Sequence, residues 1–207
     1  MRTGSRDRQL SVAVVGVGEM GINHARCLAT MKGVDLIAVV DSDENRRNEA
    51  ATAFDCLPLT EISELPHVDA AIVAVPSAHH AEVGSHLMQR GIHCLVEKPL
   101  ALDREEALAL IAAAKAANVV LQVGHIERFN PAVRQLATLL EGQQALVANT
   151  RRMSAVSARV SDIDVVMDLM VHDLDVVLYL MGNQVDRLVA RGIAGPNGTD
   201  YATALLS

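Results

Sequence analysis

Glu97-Lys98-Pro99 follows the short apolar run His93–Val96 and sets a lysine beside a rigid proline. At the carboxyl end of a strand such an ammonium can stabilise a developing alkoxide or carry a proton. Asp168, His172, Asp175 and Tyr179 recur at i, i+4, i+7 and i+11, so a helix would carry them on one stripe. Nearly everything else from Val165 to Met181 is aliphatic, which predicts a largely buried helix. The stripe holds no Lys, Glu or Arg, so it reads as facing a polar cleft. There His172 serves as a general acid/base, with Asp168 orienting it or holding a substrate hydroxyl. Taken alone, Lys98 reads equally as a solvated surface residue and the stripe as a solvent face.

Gly16-Val17-Gly18-Glu19-Met20-Gly21 stands between an apolar run and a helical pattern. The first glycine permits a tight turn, the second lets the backbone approach a pyrophosphate, and the third lets the helix pack close to its strand. The helix then offers free N–H groups and a positive dipole end to that pyrophosphate. A glycine pattern by itself is weak, but Asp41 closes the second apolar run 20 residues beyond Gly21 and is placed to accept from a ribose hydroxyl. A carboxylate there repels a 2′-phosphate, so NAD is expected over NADP. Arg46 and Arg47 could favour NADP, but they fall in the following helix.

These groups need a scaffold that gathers them. Strands are expected at Ser11–Val17, Val34–Val40, Ala70–Val75, His93–Val96 and Val119–Val123. Helices are expected at Gly21–Met31, Glu44–Phe54, His80–Arg90 and Arg104–Ala117. This alternation predicts an α/β fold, a Rossmann doubly wound parallel sheet over residues 1–125. Beyond it the rhythm changes. A helix opens at Asn130-Pro131 and runs to about Leu140, and a strand is expected at Ala145–Arg152. A Ser/Arg-rich loop, a helix over Asp162–Met181 capped by Gly182, a strand at Val185–Ile193 and the start of another at Tyr201–Leu206 follow. Residues 126–207 therefore read as the start of an α+β domain with an incomplete sheet.

Composition narrows the function. The 207 residues are 50% hydrophobic and only 2% aromatic, so Val, Leu, Ile, Ala and Met must build the core. A net charge of −7 without a dense basic run argues against nucleic acid. Val165–Met181 approaches membrane-spanning length, but Asp168, His172, Asp173 and Asp175 exclude it from lipid. The apolar run Leu10–Val15 leads straight into glycines with no cleavage region, so it reads as a strand and not as a signal peptide. Cys27, Cys56 and Cys94 have neither disulfide nor metal spacing and read as small buried hydrophobes in a reducing cytoplasm. No metal site is expected.

With Gly124-His125-Ile126-Glu127-Arg128-Phe129-Asn130-Pro131, the Glu-Lys-Pro segment and Asp168…His172 resemble the Gfo/Idh/MocA oxidoreductases. In that family a Glu-Lys-Pro lysine lies near nicotinamide and substrate, and an Asp-x-x-x-His helix supplies the other catalytic groups. The resemblance implies Lys98, Asp168 and His172 as catalytic residues. Ala74–His80 resembles the segment that packs along the cofactor, with His80 at the family's usual histidine position. The expected cofactor contacts are thus Gly16, Val17, Gly18, Glu19, Met20, Gly21, Asp41, Val75, Pro76, His80, Glu97 and Lys98. Lys98, Arg128, Asn130, Asp168 and His172 are expected to meet the substrate.

The wording of Gly124–Pro131 and of Met170–Asp175 resembles the branch that oxidises UDP-N-acetylglucosamine at C3. The resemblance implies hydride transfer from a sugar hydroxyl carbon to NAD, in a cytoplasmic homo-oligomer with a small sugar or nucleotide-sugar substrate. Family members continue through a largely antiparallel sheet, which here would only be starting at Ser207, so a fragment is expected. A non-catalytic dinucleotide- or sugar-sensing protein and a dehydrogenase of free sugars or inositol remain alternatives. A plain 2-hydroxy-acid dehydrogenase leaves the Glu-Lys-Pro and Asp-x-x-x-His order unexplained.

Overall fold

The structure is a computed structural model that describes residues 9–143, 145–154, 163–182, 184–195 and 198–207. It divides into two compact units, Met1–Gly124 and His125–Ser207.

The first unit is built on six strands: β1 (Leu10–Val15), β2 (Val34–Val40), β3 (Leu57–Leu59), β4 (Ala70–Val73), β5 (His93–Val96) and β6 (Leu121–Val123). They form one sheet in the order β3-β2-β1-β4-β5-β6, with every pair parallel. Helices α1 (Glu19–Thr30), α2 (Glu44–Phe54), α3 (His80–Gln89) and α4 (Arg104–Ala117) make the crossovers. This is the doubly wound Rossmann arrangement. Successive strand side chains point to opposite faces, so a sheet covered on both sides needs continuous apolar strands. In β1, Ala13 and Val15 enter one core with Val73, Leu87 and Val96, while Val12 and Val14 enter another with Leu28 and Val39. Burying each such valine contributes about 1.5–3 kcal/mol.

The helices start where short polar side chains satisfy first-turn amides. Asp43 accepts from the Arg46 amide (2.9 Å) and Asp103 from the Glu106 amide (2.8 Å). β1 stops at Val15, two residues before the expected end, because Gly16 turns to a positive φ of 85°. β4 likewise ends at Val73 and not at Val75. The edge strand β3 was not expected: three residues, Leu57-Pro58-Leu59, are too few to show a period.

In the second unit Asn130 caps α5 (Pro131–Leu140), accepting from the Ala132 amide at 3.0 Å. A π-helical turn, Val166–Met170, runs directly into α6 (Val171–Met181), which Gly182 closes. Strands β7 (Leu188–Gly195) and β8 (Gly198–Leu206) form an antiparallel pair. The expected strand at Ala145–Arg152 is absent: those described residues have no ladder partner, and a short apolar run cannot hold a strand without one. The expected helix start, Asp162, the Ser/Arg-rich loop over 155–162, and Pro196-Asn197 lie outside the described residues.

Two burial expectations are corrected. α6 and the π turn are half-buried within their unit, with Asp175 the one buried residue between Val165 and Met181. Of the cysteines only Cys94 is buried, where burial pushes its thiol up to about 12. Cys56 is half-buried, and Cys27 is exposed on the outer face of α1.

Candidate active site

All six strands of the first unit run the same way, so their carboxyl ends share one edge. The glycine turn leaves β1 there, Asp41 leaves β2, Val75 and Pro76 follow β4, and Glu97-Lys98 follows β5. β4 alone separates the glycine turn from the lysine. Ligands of open α/β sheets bind at this edge, where the order of connection reverses.

The turn fits a dinucleotide pyrophosphate. A side chain on Gly16 or Gly21 would run into backbone, whereas at Gly18 a Cβ would meet nothing within 4 Å. The backbone is therefore open on the side a ligand approaches, and the first turn of α1 presents its amides there. Glu19 and Met20 are exposed on that turn, and Val17 is buried beneath it.

Asp41 is 8% exposed and braces the turn, taking the Val17 amide on Oδ2 (2.9 Å) and the Asp43 amide on Oδ1 (2.8 Å). Arg46 reaches back from α2 to its Oδ1 at 2.9 Å, an arrangement the sequence did not disclose. Burial works to raise the Asp41 carboxyl, but Arg46 and the two amides outweigh it and hold the group below its ordinary value.

Lys98 is half-buried and joins Pro99 through a cis peptide bond. Its amide donates to Glu97 Oε2 at 3.2 Å. Glu97 is 8% exposed and meets His24 of α1 through Oε1, 2.7 Å from Nε2. Burial again works to raise the Glu97 carboxyl, and the bonds and charges of His24 and Lys98 bring it below its ordinary value. His80 is fully buried, with Nδ1 at 2.7 Å from the Pro99 carbonyl oxygen and Nε2 at 3.0 Å from that of Val75. A neutral imidazole has one N–H, so it donates to one of the two. The ring lies between the loop after β4 and the loop after β5.

Asp41 and Glu97 set an acid limit. Each is more acidic folded than unfolded, so each adds stability above its ordinary value (3.8 and 4.5) that is lost as pH falls through the folded value. Urea midpoints should therefore hold from pH 7 to about pH 5 and drop below about pH 4, the drop shrinking in Asp41→Asn.

In the second unit Asp168 lies in the π turn and His172 in the first turn of α6, both half-buried. A π turn shifts the phase of the residues on either side, so the stripe from Asp168 to Tyr179 is not that of a regular helix. Arg128 is held by Asp175: Nε donates to Oδ1 and Oδ2 at 3.1 and 2.8 Å, and Nη2 donates to Oδ1. The guanidinium also lies 5.3 Å from the Tyr179 ring centroid. Asn130, besides capping α5, donates to Glu127 Oε2 at 3.0 Å.

Removing Arg128 leaves the buried Asp175 carboxylate facing the His125 ring, whose Nε2 lies 3.7 Å from Oδ1. Arg128→Met should cost about 2 kcal/mol in chemical denaturation, less than for a fully buried pair because the arginine is half-exposed. Adding Asp175→Leu should recover most of it.

Sequence reasoning missed two groups. Glu127 is held below its ordinary value by the Asn130 hydrogen bond, against burial, and then by Arg152 and the charge of His172. Its place inside the Gly124–Pro131 motif was the available signal. His24, three residues beyond Gly21, carried no signal of its own.

The profile of the Gfo/Idh/MocA oxidoreductases, described as an oxidoreductase family with NAD-binding Rossmann fold, matches residues 10–125. The chain belongs to the Gfo/Idh/MocA family. It is 37% identical over 200 residues to UDP-N-acetylglucosamine 3-dehydrogenase of Acidithiobacillus ferrooxidans, covering 96% of this chain and 63% of that one. The solved structure of that enzyme superposes with a TM-score of 0.84 over 96% of this chain and 65% of its own. An inositol 2-dehydrogenase of Saccharopolyspora erythraea is 31% identical over 195 residues, 89% of this chain and 58% of its own. A structure of GenD2 from gentamicin A biosynthesis in complex with NAD is 27% identical, with a TM-score of 0.81 over 100% of this chain and 64% of its own. The chain thus spans less than two thirds of these Gfo/Idh/MocA relatives. No helix among the described residues is long and apolar enough to cross a membrane.

Proposed function

We propose that this protein is an NAD-dependent sugar dehydrogenase that oxidises C3 of UDP-N-acetylglucosamine. The observation that carries the reading is one sheet edge holding both a glycine turn open to a pyrophosphate and, two strands away, Lys98 on a loop fixed from both sides. A sensing protein needs the first feature and not the second. The substrate follows from likeness to the A. ferrooxidans enzyme over 96% of the chain.

The chain's residues divide the work. Gly18 and the first turn of α1 receive the pyrophosphate, and Asp41 receives the adenosine ribose, which favours NAD over NADP. Val75, Pro76 and His80 form the wall after β4. Bound NAD⁺ supplies the acceptor for the hydrogen on the substrate carbon. Lys98 stabilises the negative charge that develops on the substrate oxygen, and His172 takes the hydroxyl proton. Asp168 holds a neighbouring hydroxyl. Arg128 and Asn130 act through Asp175 and Glu127, to which the structure binds them. Such an enzyme is expected to be a cytoplasmic homo-oligomer, which light scattering and fractionation measure.

The test is NADH formation, followed by absorbance, with UDP-N-acetylglucosamine, free N-acetylglucosamine and myo- and scyllo-inositol. We expect kcat/KM for the nucleotide sugar to exceed the others by about 100-fold or more. Turnover of an inositol without the UDP-sugar would overturn the substrate assignment, and NAD binding with no turnover of any of these would favour the sensor.

A further inference from the structure

We propose that His24 is a positioning residue for Lys98, linking the pyrophosphate-binding helix to the lysine through the Glu97 carboxylate. It rests on the reading of Lys98 as the group that meets the substrate oxygen.

The carboxylate is enclosed on three sides. His24 Nε2 is 2.7 Å from Oε1, and the Lys98 amide donates to Oε2 at 3.2 Å. On the third side the Gly124 backbone packs so close that a Cβ there would lie 3.1 Å from both oxygens. β-Sheet bonds fix the frame around it: the Glu97 amide donates to the Val73 carbonyl at 2.9 Å, and the Gly124 amide to that of Val96 at 2.8 Å. The soft coordinate is the Glu97 side chain, and His24 holds it from another element. Beyond the lysine, His80 meets the Pro99 carbonyl oxygen at 2.7 Å. Lys98 is therefore pinned through each of its chain neighbours by a histidine from a different helix, α1 on one side and α3 on the other.

The link to the cofactor is the place of His24. It sits three residues beyond Gly21 on α1, the helix whose first turn would take the pyrophosphate. α1 is rigidly seated by Ala25 and Leu28 in the core. His24 thus joins the helix whose first turn would take the pyrophosphate to the loop that carries the lysine. A buried carboxylate is costly without partners, so losing the His24 bond turns Glu97 and pulls on the Lys98 amide.

Two amide substitutions in the whole enzyme separate this role from a merely structural one. His24→Gln places its amide nitrogen where Nε2 stands, and His24→Asn stops one methylene short. Three readouts apply to each: kcat and KM with UDP-N-acetylglucosamine, the NADH dissociation constant by fluorescence, and the NMR resonance of ¹³C-dimethylated Lys98, assigned with Lys98→Arg. We expect His24→Gln to stay within about 5-fold of wild type and His24→Asn to lose about 30-fold in kcat, since a displacement of about 1 Å is that expensive. KM and NADH affinity should move by less than about 3-fold, and the Lys98 resonance should shift in the Asn variant alone. Equal behaviour of the two variants, or loss of NADH binding in step with kcat, would overturn the proposal. Should even wild type turn over no sugar, the proposed function fails, while the Lys98 resonance still decides whether His24 aims the lysine.

Discussion

Gly21→Ala should abolish NADH binding and cost the protein about 3 kcal/mol or more. A Cβ at Gly21 would stand 1.8 Å from the Gly16 carbonyl oxygen, and no rotamer relieves a clash with backbone. Gly16 cannot give way. It sits at a positive φ of 85°, and its own Cβ position lies 2.6 Å from the Ala74 carbonyl oxygen. Either the turn opens or α1 leaves β1, and in both cases the amides that would hold a pyrophosphate are lost. Gly18→Ala is the contrasting control, because its Cβ meets no atom within 4 Å. Its stability should stay within about 0.5 kcal/mol, while the NADH dissociation constant rises about tenfold because the methyl occupies the ligand's side of the turn. Urea denaturation with fluorescence titration checks both, and normal NADH binding by Gly21→Ala would contradict the turn's assigned role.

Lys98→Met should lower kcat about 1,000-fold while leaving the NADH dissociation constant within about 2-fold. Methionine keeps the length and apolar stem of the side chain and removes only the ammonium. The backbone of the loop is held by hydrogen bonds of Glu97 and Pro99 that do not use the ammonium, which acts on Glu97 only through its charge. The loss should therefore fall on the chemical step. A matching rise in KM with unchanged kcat would instead make Lys98 a binding residue. Stopped-flow fluorescence and steady-state rates, measured together, separate these outcomes.

The first unit was legible because two physical periods coincide there. Continuous runs such as Val12–Val15 and Leu36–Val40 have to be buried on both faces, which permits a parallel sheet covered by helices and little else. The glycine turn could be read because its spacing answers a steric need that the structure shows directly at Gly16 and Gly21. Three-residue β3 was illegible because its pairing with β2 is tertiary and Pro58 obscures any strand propensity. The strand expected over Ala145–Arg152 failed for the opposite reason: a short apolar run, Ala145–Ala148, was present without a partner strand.

Side-chain partnerships were the least legible level. His24 and Glu97 are 73 residues apart, and Arg128 and Asp175 are 47 apart. Nothing local marks such pairs, so the sequence left Arg128 open between a substrate contact and a salt bridge and named no partner, whereas the structure pairs it with Asp175. Aliphatic content also overstated the burial of α6. Composition reports what a helix is able to bury, and within its unit this one buries Asp175, drawn in by Arg128.

The proposed dehydrogenase breaks a carbon–hydrogen bond of a nucleotide sugar at the Lys98 edge of the sheet and passes its hydrogen to NAD. The most direct measurement uses UDP-N-acetylglucosamine carrying deuterium at C3, with mass spectrometry of the nicotinamide cofactor and of the sugar product. One deuterium is expected in the reduced cofactor, with a 3-keto sugar that lacks it, and neither product from Lys98→Met. Reduced cofactor free of deuterium, or no reduction while UDP-N-acetylglucosamine still binds, would contradict it.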